Sequence, residues 1–382
     1  MKRKIESSRP LLFSEHTIRD LTLKNRIVVS PMCQYASRDG SPIDWHYGHL
    51  GRYAIGGAGL VFYEETAVEA RGRKTYACAG LYRDEQVLEF KRMTQFLSDL
   101  GAVPAIQLGH AGRKSSVKSA MYDWAPLDAT DAENGQPPWQ GVSPSALPAA
   151  VGKHIPKAMD REDMDIVIQA FVDATRRSYE AGFKVLEIHG AHGYLLHQFL
   201  SPLSNLRTDE YGGDRNARMR FCLEVTEAVR AAWPQSLPLF YRVSAIDGQG
   251  GVWNMDDTVE FSRALASRGV DLVDCSSGGI TGDSAMQGLK PGPGNQVAFA
   301  QRVREEAGVA SMAVGFITAA AQAEGILRSG QADLIAMARE LMYHADWPVH
   351  AARELGVEDA FNLFPPSYGH RLMRRELALD AN

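Results

Sequence analysis

Residues 184–200 read KVLEIHGAHGYLLHQFL. The first seven form a near-continuous apolar run of strand length, the signature of a strand buried on both faces. Polar chemistry starts where the run stops: His189, His192 and His197, with Tyr194 between the last two. Working outward, seven more runs of the same kind appear. They are RIVVSPM (26–32), GLVFYEET (59–66), VPAIQLGH (103–110), LPLFYRVSA (237–245), DLVDCSSGG (271–279), ASMAVGF (310–316) and ADLIAMAR (332–339). Between them lie stretches of helical period with charged faces, such as DEQVLEFKRMTQFLSDLG and DDTVEFSRALASRG, both ending at Gly, a frequent helix stop. Eight alternations of strand and helix predict an α/β fold, a (β/α)8 TIM barrel. No G-x-G-x-x-G follows the first strand, which argues against a dinucleotide-binding open sheet.

The chain has 382 residues, 45% hydrophobic, with a net charge of −5. That suits one large domain over 1–382. Two segments depart from the repeat: 11–25 reads as a β-hairpin ahead of the first strand, placed to plug the barrel bottom. The long Pro-, Ser- and Trp-rich loop 111–157 follows the third strand, where a lid belongs. A tail with aromatic and basic residues spans 361–382. No basic stripe suggests nucleic acid. The cluster Arg71, Arg73 and Lys74 reads as a solvated loop. The apolar stretch 307–321 is shorter than the ~20 residues a membrane span requires. Four cysteines without a C-x-x-C pair fit a reducing, cytoplasmic setting, and the leader MKRKIESSRP lacks the apolar core of a signal peptide.

In a barrel of this kind, the C-terminal strand ends face the active site. Here they carry mostly neutral hydrogen-bonding groups and two arginines, Arg242 and Arg339. Carboxylates are scarce, which argues against a glycosidase. Glu64 and Glu65 are adjacent on one strand, so only one can face the site. Gly315 ends the seventh strand, a helix opens beyond it and the eighth strand delivers Arg339, a combination that points to a phosphate. His189 and His192 read in two ways: as zinc ligands, or as paired donors that stabilise negative charge on a substrate oxygen, with Tyr194 supplying a proton.

The stretches SPMCQYAS, IQLGHAGRK, EIHGAHGYLLHQFLSPLSNLRTDEYGGDRNAR, YRVSA, VGFIT and IAMAREL resemble the Old Yellow Enzyme family of FMN-dependent ene-reductases. The likeness runs from about Leu11 to the tail, and the run Asn205–Gly213 is its most specific part. Cys33 and Tyr35 resemble the thermophilic-like subclass that includes xenobiotic reductases. The resemblance implies an FMN cofactor, with NADPH or NADH as hydride donor and an electron-poor alkene or nitro compound as substrate. Ser30, Pro31, Met32 and Cys33 would line the flavin, Gln107 would bond its pyrimidine part and Arg242 would face N1 and O2. Gly315, Phe316, Ala338 and Arg339 would hold the phosphate. His189 and His192 would grip the substrate oxygen, Tyr194 would protonate Cα while hydride reaches Cβ, and Tyr35 would lie over the substrate. Glu65 would contact the flavin by its backbone but departs from the pattern, which has a small residue there, so its side chain is expected to turn away or find a basic partner. Arg371, in PSYGHRLMRR, is the candidate for a residue that reaches a neighbouring subunit's site, which implies a homo-oligomer. No metal is expected. The rival readings are a metal-dependent barrel hydrolase built on His189 and His192, a larger flavin reductase whose iron–sulfur cysteine cluster has no counterpart here, and a flavin-binding barrel without catalysis.

Overall fold

Ile27–Val29 (β1), Leu60–Ala67 (β2), Val103–Gly109 (β3), Val185–Gly190 (β4), Leu239–Ser244 (β5), Leu272–Ser276 (β6), Ala310–Ala313 (β7) and Leu334–Met337 (β8) close into one barrel in chain order. Every pairing between neighbours is parallel. The architecture is the (β/α)8 barrel expected from the alternation. This computed structural model describes residues 9–248, 252–281 and 289–380. The charged leader 1–8 and the last two residues lie outside the described residues.

Strand alternation separates two cores. Val28, Leu60, Phe62, Ala105, Val185, Phe240, Leu272, Met312 and Leu334 pack together inside the barrel. Their neighbours Ile27, Val29, Val61, Ile106, Leu186 and Tyr241 face the surrounding helices. The hairpin of His16–Ile18 and Leu21–Leu23 is antiparallel, and Leu23 packs with the inner cluster. Helix starts follow local chemistry. Asp160 and Asn254 accept from backbone N–H groups at the starts of Arg161–Glu180 and Met255–Ala266, satisfying donors that a helix leaves open.

Higher in the barrel the inward positions turn polar. Gln107 Nε2 donates to Glu187 Oε1 at 2.8 Å, and Arg242 Nε lies 3.0 Å from Asp274 Oδ2. All four side chains are buried. Asp274 is hidden in the sequence because it sits inside an apolar run. Burial pushes the Glu187 carboxyl well above its ordinary range, with Asp274 adding to the shift, and burial raises Asp274 as well. This polar layer supports the mouth. Over it runs the 111–157 segment, whose regular structure is the 3-10 turns Gly112–Lys114 and Ala120–Tyr122, the short helix Ala129–Glu133 and a two-residue strand Val142–Ser143 paired with Lys157–Ala158. The tail is helical over Pro366–Asp380.

Candidate active site

His189 is the last inward residue of β4, and its ring stands 5.2 Å from that of His192 and 5.1 Å from that of Tyr194. The turn AHGY makes this possible. His192 and Gly193 are both left-handed, at φ of 57° and 72°, and a Cβ on Gly193 would meet the Gly279 carbonyl oxygen at 1.9 Å. Only glycine fits there. The fold therefore brings the two histidines and the tyrosine into one cluster. His192 Nε2 hydrogen-bonds with Ser276 Oγ at 2.7 Å, while His189 Nδ1 is buried with no partner among the described residues. The third histidine serves the backbone instead. His197 Nδ1 accepts from the Gly193 amide at 2.9 Å and so holds the turn.

The electrostatics keep both imidazoles neutral. Burial lowers the pKa of His189 and His192 well below the ordinary value, and nearby cations, Arg242 among them, lower it further. Burial also raises the Tyr194 hydroxyl, against an opposing pull from Lys74.

Beside the histidines a cavity of about 470 Å³ extends along the ends of β5 to β8. Arg242, Ser276, Gly315, Phe316, Ala338 and Arg339 are among its walls. Gly315 has φ 115°, and a Cβ there would meet Asn295 Oδ1 at 2.5 Å, so the bare backbone faces the cavity. Arg339 stacks over Phe316 at 4.7 Å, and among the described residues no carboxylate pairs with it. A guanidinium, a bare glycine backbone and the unpartnered buried Ser30 hydroxyl are a donor set that fits FMN, and Arg339 would hold its phosphate.

On the other side of the mouth the structure corrects the expectation of a solvated basic loop. Lys74 is only 2% exposed. Its ammonium pairs with Glu65, lies 3.1 Å from Cys33 Sγ and stands 5.0 Å from the centre of the Tyr194 ring. Arg71 pairs with Glu69 and Asp163, and Arg73 lies over the rings of Tyr76, Tyr82 and Trp139. A bulge at Tyr63/Glu65 in β2 makes the arrangement possible by leaving Glu64 as the extra residue. Glu64 turns to His46, at 3.1 Å, and to the Gln34 amide, at 2.9 Å. Glu65 then meets Lys74. The signal in the sequence is Glu65 itself, since a buried carboxylate requires a cation.

Cys33 is a poor thiolate, its pKa pushed up to about 12 by burial in spite of Lys74. Ser30 continues β1, its amide bonded to the Met337 carbonyl, and Pro31 and Met32 are half-buried beyond it. Tyr35 is held at φ 52° with its ring 5.6 Å from Trp124 of the long loop. Arg371 is not brought to this cluster. It lines a separate groove of about 430 Å³ with Arg52, Tyr343 and Tyr368. The described residues do contain one His/Asp cluster with metal-ligand spacing, at His344, Asp346 and His350, away from His189 and His192.

Residues 11–358 match the NADH:flavin oxidoreductase / NADH oxidase family. The chain belongs to that family. An NADPH dehydrogenase of Geobacillus sp. (strain WCH70) is 43% identical over 348 residues, covering 91% of this chain and 95% of its own. Among solved structures, the old yellow enzyme homologue of Zymomonas mobilis superposes with a TM-score of 0.73 at 24% identity, covering 94% of this chain and 99% of its own. A 2-naphthoyl-CoA reductase in complex with 2-naphthoyl-CoA superposes at 0.80 with 21% identity. It covers 91% of this chain, which spans 53% of that longer protein. The resemblance to the Old Yellow Enzyme family is borne out, and the two structural likenesses speak for the fold.

Proposed function

We propose that this NADPH-dependent FMN oxidoreductase reduces the activated C=C bond of α,β-unsaturated carbonyl or nitro compounds. One observation carries the reading: two imidazoles and a phenol meet at the edge of a cavity whose donor set fits FMN. The chemistry FMN supplies when bound is hydride, taken from NADPH and given from N5 to the alkene Cβ. His189 and His192 donate to the activating oxygen and stabilise the negative charge that builds there. Tyr194 gives its hydroxyl proton to Cα. A phenol whose pKa is raised is a weak acid, so polarisation by the histidines precedes the proton transfer. Arg242 brings positive charge to the cavity wall, with Asp274 holding it in place.

The cationic surroundings of the histidine pair also weigh against the zinc-hydrolase reading, because Arg242, Lys74 and Lys114 would repel a dication. The Tyr194 phenol favours an enzyme over a barrel that only stores flavin. A homo-oligomer remains the reading of the tail: Arg371 reaches a mouth only if that mouth belongs to a second copy.

Replacing Tyr194 with Phe tests the acid. Turnover of an enone is expected to fall by about 10²–10⁴, the usual share of a general acid, while NADPH still bleaches the flavin. Unchanged enone turnover would remove Tyr194 from this role.

A further inference from the structure

Beyond β8 the chain makes two helices in quick succession. His344 closes the short helix Arg339–Tyr343, and Asp346 opens the next, Trp347–Glu354. An aspartate in that opening position ordinarily turns its carboxylate onto the free N–H groups of the first turn. Asp346 makes no such bond. Its two oxygens face two imidazoles instead: Oδ2 lies 3.2 Å from His350 Nε2, and Oδ1 lies 3.8 Å from His344 Nε2. Asp346 and His350 are an i,i+4 pair, a spacing that puts both on one face of a helix. His344 reaches the same carboxylate from the preceding turn, and the two rings stack 5.0 Å apart at 20°.

This is not an ordinary surface ion pair. Among the described residues no lysine or arginine pairs with Asp346, so its charge is met by imidazoles alone. The three ligand atoms lie within 4.8 Å of one another. Around a tetrahedral zinc with bonds of about 2.0–2.1 Å, neighbouring ligand atoms stand roughly 3.4 Å apart. A small turn of the side chains, which are about half exposed and open to an ion from solvent, closes the set. The backbone that carries them is already fixed. Trp347 Nε1 donates to the Thr318 carbonyl at 2.7 Å, the Trp347 amide to the His344 carbonyl at 3.1 Å and the His350 amide to the Asp346 carbonyl at 3.3 Å.

We propose that His344, Asp346 and His350 bind a zinc-class dication on the protein surface, apart from the redox centre, with water completing the coordination. Two imidazoles and one carboxylate suit zinc and its neighbours cobalt and nickel, whereas calcium and magnesium call for oxygen ligands. The ion ties the end of one helix to the start of the next and so braces the chain just behind Arg339. The site contains neither His189 nor His192, so it does not restore the hydrolase reading of that pair.

The test is calorimetric titration of zinc chloride into the untagged holoenzyme after chelator treatment and desalting. One zinc per chain is expected to bind. The thermal unfolding midpoint should rise as zinc is added, because an ion that binds only the folded chain stabilises it. Calcium and magnesium at the same concentration should give neither signal. His344→Ala and His350→Ala should each weaken zinc binding at least about tenfold, since loss of a group that merely supports a ligand costs roughly 10- to 100-fold and loss of a ligand no less. Both side chains are exposed, so the variants are expected to fold, and NADPH should bleach their flavin as it does the parent's. Asp346→Asn reads the same ligand set if either histidine variant does not fold. The absence of saturable zinc binding overturns the proposal, as does zinc binding that the folded variants retain in full. Calcium binding as tight as that of zinc overturns the assigned class of ion.

Discussion

On the side of the mouth built by β7 and β8, the Arg339 guanidinium lines an open cavity and makes no salt bridge among the described residues, although Glu340 lines the same cavity. On the side built by β2 and β3, Lys74 and Glu65 are buried against each other. The two sides treat the same problem, a cation held near the barrel axis, in opposite ways. The first leaves its charge for a ligand's anion to meet. The second balances charge within the chain and uses the pair to shape the surroundings of Cys33 and Tyr194. Burial separates them: Arg339 is exposed, where water supports an unpaired cation, whereas Lys74 has no water to do so.

The sharpest way to break this comparison is to remove one partner on the balanced side. Glu65→Ala leaves Lys74 buried and unpaired, and urea unfolding should show a loss of about 3–5 kcal/mol. Changing Glu65→Ala and Lys74→Ile together should recover most of that loss, because a buried pair and an apolar replacement come out nearly even. If single and double variants unfold alike, the pair does not balance the charge.

On the open side the same kind of change should act on the ligand instead. Arg339→Ala is expected to cost about 1.5–3 kcal/mol in FMN affinity, the worth of a charged hydrogen bond. Dilution of the holoenzyme with fluorescence detection of released flavin reads this out. A comparable loss of folding stability in the flavin-free protein would erase the distinction between the two sides.

A third prediction uses pH. Burial lowers His197 from its ordinary 6.5 to about 3, with Lys114 and Arg113 lowering it further. The unfolded chain therefore takes up this proton first. The stability tied to neutral His197 is complete above about pH 6.5 and is lost progressively toward pH 3, by roughly 2 kcal/mol at pH 5. Urea midpoints at pH 7 and 5 for the native chain and for His197→Gln check it. Equal pH slopes would show that His197 is not the group responsible.

Much of this is legible in the residues. Eight apolar runs such as KVLEIHG become eight barrel strands because a parallel strand covered on both faces carries a pattern of its own. The strand-end rule then brings His189, His192 and Tyr194 to one mouth, and Gly315 with Arg339 to the same cavity. Lys74 escapes such a reading because a lysine in a basic, glycine-containing run looks the same whether solvated or buried. Asp274 is concealed because alternation along DLVDC does not reveal that one inward position lies opposite an arginine two strand residues from the end of β5.

By itself, then, the order of residues determined the barrel, the end of it that does chemistry and the family to which the chain belongs. These follow from local periodicity and from short motifs, which depend on near neighbours in the chain. The tertiary structure alone decided which charges meet: Glu65 with Lys74 across a bulge, Arg242 with Asp274 across two strands, and Arg113 with no carboxylate among the described residues. Charge pairing depends on distance and on access of water, and both are properties of the closed barrel.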